Sequence, residues 1–143
     1  MSDPLYKKEI LRLAADAHGA GRLGQAHITG QAFNPACGDK VTVDLALDEN
    51  DCVQAIAHDT KACVLTQASA SILGEKLKGA SREDVERLAN EIAQMLVAKA
   101  QAPAPPFSDY GMFEGAVAHR NRHRCVLLPV EAVLAAFEES GTP

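Results

Sequence analysis

Tryptophan is absent from this 143-residue chain, aromatic residues make up only 4% of it, and no stretch approaches the roughly 18 consecutive apolar residues of a membrane span. The shortage of rings argues against a sandwich core built on aromatics, and alanine at 25 positions points to helices packed through small side chains. Met1 to Ile10 includes Asp3, Lys7, Lys8 and Glu9 and lacks the apolar stretch of a secretory signal, so a cytoplasmic protein with no membrane attachment is expected. An excess of positive charge is missing too. Fourteen Lys and Arg against nineteen Asp and Glu leave a net charge of −5, which disfavours nucleic acid or an anionic membrane as a partner. No phosphate loop, dinucleotide fingerprint or Ser-His-Asp arrangement is present. Cysteine is sparse, at positions 37, 52, 63 and 125. Without an export signal, these read as metal-binding or reactive thiols before disulfides.

What is present is an ordinary globular composition, 47% apolar and 23% charged, with residues 1–143 making one domain. At this length folding hides roughly 70% of the unfolded chain's surface, so a core can form without disulfides. Leu5, Tyr6, Ile10, Leu13, Ala14 and Ala17 recur at helical spacing after Pro4, predicting a helix that ends near His18 and Gly19. Gly19, Gly21 and Gly24 form a link into a weak strand over Ala26 to Phe33, then a tight turn from Asn34 to Gly38. Val41, Val43, Leu45 and Leu47 alternate with Thr42, Asp44 and Ala46, the polar run Asp48 to Asp51 turns the chain, and Cys52 to His58 makes the second strand of a hairpin. Ala68, Ile72, Leu73 and Leu77 fall on one side of a helix stopped by Gly79. Ser81 with Asp84 caps another through Val85, Leu88, Ile92 and Met95. Gln101 to Pro106 reads as an extended, exposed spacer, Tyr110 to Val117 as a short turn or helix, and Pro129 as the start of a last helix over Val130 to Glu138. The order predicts an α+β fold with a small antiparallel sheet of about three strands, covered by helices on one face.

Cys37 lies in the Pro35 to Gly38 turn with Asp39 two positions on, a thiol and a carboxylate suited to a borderline metal such as zinc or an iron of a cluster. Cys63 falls where strand gives way to helix, and Cys125 shortly before Pro129. Unpaired N–H groups and the positive end of the helix dipole favour thiolate at such places. Three cysteines at three junctions on one edge of the sheet would leave Asp39 as an oxygen ligand, and separate small buried thiols are the alternative. Cys52, inside a strand, reads as core.

Three blocks carry a family resemblance: Asn34 to Asp39 (NPACGD), Ala62 to Ser71 (ACVLTQASAS) and Arg122 to Pro129 (RHRCVLLP). In this order they resemble the U-type iron–sulfur assembly proteins, the family of IscU, SufU and the N-terminal domain of NifU. The resemblance implies that Cys37, Asp39, Cys63 and Cys125 form one site on an α+β fold. The 62 positions from Cys63 to Cys125, Arg124 where IscU-like chains have His, and the lack of an LPPVK motif are similar to SufU. That branch implies a zinc-binding acceptor of persulfide sulfur from a cysteine desulfurase, delivering to downstream scaffolds or apo-proteins. The IscU branch implies a scaffold for a [2Fe-2S] cluster, and a structural zinc module without sulfur chemistry is a third reading. Ala62 replaces a usual Gly, and the usual His and Pro-Arg-Asn are missing between Leu13 and Leu23. Cys37 is the expected sulfur acceptor, because its Pro-Gly turn swings more easily than a thiol beside a helix.

The basic run His119 to Arg124 reads as a solvated face or a docking strip for an acidic protein. Arg122, three residues before Cys125, is expected to hold Asp39 or to stabilise a thiolate or persulfide, with Arg124 beside it. His18, His27 and His58 read as surface or core residues, and Thr66, Ser69 and Ser71 as packing or capping groups.

Overall fold

The computed structural model describes residues 7–24, 28–98 and 101–139. Pro4, Leu5, Tyr6, Ala26 and His27 lie outside them. The elements run α1 (Lys8–Asp16), β1 (Ile28–Asn34), β2 (Asp39–Leu47), β3 (Val53–Lys61), α2 (Val64–Lys76), α3 (Arg82–Ala98), a 3-10 helix (Ser108–Ala116) and α4 (Arg120–Glu139). The strands form one antiparallel sheet in the order β1-β2-β3. This is the expected α+β architecture.

Alternation decides what the sheet buries. Val41, Val43 and Leu45 are fully buried and pair across to Thr60, His58 and Ile56 on one side and to Ala32, Gly30 and Ile28 on the other. α4 lies directly on this face. A Cβ at Gly30 would collide with the backbone of Ala132, Ala135 and Ala136, so only glycine lets the helix approach β1 this closely.

The opposite face holds a buried charge. Asp44 is completely buried, and Arg22 donates to it through Nε at 2.7 Å and Nη2 at 3.1 Å, with further bonds from the Leu23 N–H and the Thr29 hydroxyl. These contacts pin the glycine-rich link to the sheet. The Arg22 hydrogen bonds, helped by Thr29 and Leu23 and opposed by burial, hold the Asp44 carboxyl down at about 2 against an ordinary 3.8. A carboxylate depressed on folding contributes stability that is in place above the unfolded pKa and is lost as the pH falls through the folded one. The melting temperature should therefore drop between about pH 4 and pH 2, and Asp44→Asn should flatten that part of the profile while lowering stability at neutral pH.

α2 is buried on several sides, with Leu65, Thr66, Ala68, Ser69, Ala70, Ser71, Ile72 and Leu73 all inaccessible, because α1, α4 and the sheet surround it. Its hydroxyls bond across elements: Ser69 donates to the Val126 carbonyl at 2.7 Å and Ser71 accepts the His18 N–H at 3.0 Å. His58 is a core histidine. Its Nε2 sits 2.8 Å from the His18 carbonyl, which can only accept, so Nε2 carries the proton and Nδ1 accepts from Thr60. The expected box at the start of α3 is formed in both directions, Ser81 N–H to Asp84 and Asp84 N–H to Ser81.

Four expectations need correction. α1 stops at Asp16, with Ala17 in the left-handed conformation. Cys52 precedes β3 and is half-buried, with Sγ 3.8 Å from the Asn50 carbonyl. A bulge at Ala46 and Leu47 shifts the register, so Val53 takes the core position. The proline-rich stretch is not wholly exposed, since Pro103 is buried, as is Phe107 just after it. Finally, α4 begins at Arg120 and carries Pro129 in its interior. Cys125 consequently lies within the helix rather than at its approach.

Candidate functional site

The site grows from the sharp β1–β2 connection. Asn34 pairs with Asp39, and the four residues between them are folded by bonds to Asn34. Its carbonyl accepts the N–H groups of Gly38 at 2.8 Å and Cys37 at 3.3 Å, and its side-chain oxygen takes the Ala36 N–H at 3.2 Å. Gly38 has φ 76°, the left-handed geometry that such a turn needs and glycine supplies freely. Cys37 is thereby left exposed at the tip.

Asp39 opens β2, and the alternation that buries Val41 and Val43 points its carboxylate to the same helix-covered side, 6% exposed. Lys61, the end of β3, pairs with Lys40 at this same end of the sheet, so the chain enters α2 beside Asp39. Cys63 is the residue that caps α2, in extended conformation and half-buried. Cys125 arrives from α4, 1% exposed.

The terminal atoms of Cys37, Asp39 and Cys125 lie within 4.8 Å of one another. The Cys125 Sγ is 3.7 Å from Asp39 Oδ2, and Cys63 lies alongside, its Sγ 3.5 Å from the Thr66 hydroxyl. The neighbouring Cys125 thiol, with help from Thr66, lowers the Cys63 thiol, while the neighbouring Cys63 thiol and burial push Cys125 up. Cys37, Asp39 and Cys125 thus meet at one end of the sheet, and Cys63 stands beside this group without joining it, linked by the Thr66 hydroxyl that also lies 3.4 Å from Asp39 Oδ2. Three thiols and a carboxylate make a soft donor set with one hard oxygen, which suits zinc and also iron. Cys52 belongs to the opposite, β2–β3 end.

Arg122 is half-buried in the first turn of α4. Arg124 is exposed, donating to the Phe33 carbonyl at 3.2 Å and facing Glu131 at 3.5 Å, so its guanidinium braces α4 against β1. His119, Arg120 and Asn121 are exposed, as a solvated face requires.

Thr66, read from the sequence as a packing or capping group, also touches the site. Its hydroxyl, fully buried, lies 2.9 Å from the Cys125 carbonyl, 3.5 Å from Cys63 Sγ and 3.4 Å from Asp39 Oδ2. The available signal was a hydroxyl one helical turn after Cys63, together with a proline four residues after Cys125.

Comparison with known proteins gives a consistent result. The profile of the NifU-like N-terminal domain matches residues 5–125. The iron–sulfur cluster assembly scaffold protein IscU of Thermotoga maritima is 31% identical over 91 residues, 64% of this chain and 63% of that protein, so the chain spans somewhat under two thirds of that relative. The zinc-dependent sulfurtransferase SufU of Bacillus subtilis is 26% identical over 141 residues, 97% of this chain and 95% of that protein. Among solved structures, an N-terminal NifU-like protein from Brucella abortus superimposes with a TM-score of 0.91 at 29% identity, covering 99% of this chain and 98% of that one. No helix among the described residues is long and apolar enough to cross a membrane.

Proposed function

Since the chain belongs to the NifU-like N-terminal domain family, we propose that it serves iron–sulfur cluster assembly as a sulfur acceptor, taking persulfide sulfur from a cysteine desulfurase at a zinc site of Cys37, Asp39, Cys63 and Cys125. The observation that carries this reading is the convergence of Cys37, Asp39 and Cys125 within 4.8 Å, with Cys63 linked to them through the Thr66 hydroxyl. The SufU-like branch is supported by the match along almost the full length of the Bacillus subtilis protein and by the extra segment holding the 3-10 helix, between the second and third cysteine blocks.

Roles within the site follow from access. Cys125 is sealed in the core and Cys63 is half-covered, whereas Cys37 stands exposed on a turn, where a partner's persulfide reaches it first. The Cys37 thiolate attacks the outer sulfur of the desulfurase persulfide. The new S–S bond forms on Cys37 as the donor's S–S bond breaks, and the desulfurase thiolate leaves. When bound, zinc would keep the site's thiols deprotonated and restrain Cys37 until a partner side chain takes its place. Asp39, a hard ligand among soft ones, keeps the site exchangeable. Downstream scaffolds or apo-proteins then receive the sulfur.

The scaffold reading, with a [2Fe-2S] cluster as cargo on the same residues, is favoured by the identity to the Thermotoga protein. Metal and labile-sulfide analysis of anaerobically purified protein separates the two. A colourless protein with about one zinc per chain is expected, and a brown protein containing iron and sulfide would replace the acceptor with the scaffold.

A further inference from the structure

We propose that Thr66, acting with Pro129, is a positioning residue that fixes how far apart the site's thiols stand. The inference rests on the metal-site reading above and adds to it the device that holds two of its ligands in place.

Proline at 129 has no N–H, so the Cys125 carbonyl four residues earlier loses its helical donor. A buried carbonyl left this way is costly unless another donor is supplied. Thr66 supplies it from α2, at 2.9 Å. Inside a helix, threonine commonly turns its hydroxyl back onto its own preceding turn. Here the hydroxyl crosses to α4 instead. A hydroxyl has one proton, and the carbonyl at 2.9 Å takes it. Asp39 Oδ2 at 3.4 Å is a more distant acceptor for the same proton, and the Cys63 thiol at 3.5 Å can donate to the hydroxyl oxygen or accept from it.

The placement explains why this bond matters to the site. Thr66 stands one turn after Cys63, and its partner is the backbone of Cys125 itself. The link thus ties the helix start that carries one thiol to the helix turn that carries the other. The acceptor is a backbone carbonyl, which does not itself titrate or bind the metal. One turn further along, Ser69 donates to the Val126 carbonyl, and the buried Tyr110 hydroxyl from the 3-10 helix donates to the Ser69 carbonyl at 3.1 Å. The segment that lengthens the interval between Cys63 and Cys125 therefore braces the same joint. Outer groups that orient metal ligands typically matter by about 10–100-fold in affinity.

The experiment uses cobalt(II) as the probe, with circular dichroism to verify folding. Wild type should show the sulfur-to-cobalt charge-transfer and tetrahedral d–d bands of a thiolate-rich site. Thr66→Val, which keeps the shape and removes the hydroxyl, should bind cobalt about tenfold more weakly or worse, with displaced d–d bands. Thr66→Ser should restore both. Pro129→Ala returns an N–H to the Cys125 carbonyl and competes with Thr66. It should weaken cobalt binding without lowering the melting temperature of the metal-free protein, a split that a purely structural role would not produce. Should Thr66→Val not fold, Pro129→Ala and Thr66→Ser still decide the matter. Wild-type cobalt affinity and spectrum in folded Thr66→Val, or in Pro129→Ala, overturns the positioning role alone. A wild-type protein that gives no thiolate–cobalt bands overturns the metal-site reading, and this inference falls with it.

Discussion

Cys37→Ser should remove the protein's ability to accept sulfur, leaving cysteine turnover at the rate of the desulfurase alone. The expectation is this severe because a serine hydroxyl is not ionised near neutral pH and attacks persulfide sulfur poorly, whereas a thiolate does so readily. No other thiol is placed to substitute. Cys125 is 1% exposed and Cys63 is half-covered at the mouth of α2. Cys52 lies at the opposite end of the sheet, where burial and the neighbouring Asp48, Asp84 and Asp51 push its thiol up, away from thiolate. Cys52→Ser should accordingly behave as wild type. Cys63→Ser and Cys125→Ser should lose the metal while keeping traces of sulfur on Cys37. Alanine release from cysteine by the desulfurase, measured with each variant, checks the series, and full stimulation by Cys37→Ser would contradict the assignment.

Removing the metal should produce the second large effect. A ligand that binds only the folded chain, present at about a thousandfold over its dissociation constant, adds about 4 kcal/mol to stability. For a domain of this size that corresponds to a melting temperature lower by roughly 10–15 °C after chelation. The fold should survive the loss. Val41, Val43, Leu45, Ile72, Leu88, Ile92 and Phe137 are all buried to 1% exposure or less, and the site occupies one end of the sheet rather than the core. Thermal scans by circular dichroism with and without chelator give the result. Complete unfolding of the metal-free protein at room temperature would show that the metal, and not this core, holds the chain together.

The sheet could be read from the sequence because each strand has one buried face, and the period of two at Val41, Val43 and Leu45 leaves a single register in which the core closes. The Ser81 and Asp84 box and Gly79 were readable for a similar reason, since both are local signals. Cys37, Asp39 and Cys63 stood out because they fall at a turn and at element boundaries, whereas Cys125, inside α4, was reached through the resemblance of the block around it. Two features escaped. Cys52 looks like a strand residue until the bulge at Ala46 and Leu47 moves the register by one position, a displacement set by tertiary packing. Pro129 looks like a helix start because a proline inside a helix leaves a carbonyl bare. That carbonyl takes its hydrogen bond from the hydroxyl of Thr66, 63 residues before Pro129 in the chain and on another helix. Neither the register shift nor this bond is visible within a local window of sequence. The same long-range contact hid the role of Thr66, whose burial alone resembles ordinary packing.

Arrival of sulfur on Cys37, in a site also formed by Asp39, Cys63 and Cys125, is the step on which the proposed function turns. Its most direct test is to incubate the zinc-loaded protein with a cysteine desulfurase and cysteine, alkylate it, and locate the added sulfur by peptide mass spectrometry. The account predicts persulfide on the peptide carrying Cys37, with Cys63 and Cys125 protected from alkylation until the metal is removed. Persulfide concentrated on Cys63 or Cys125, with Cys37 unmodified, would contradict it.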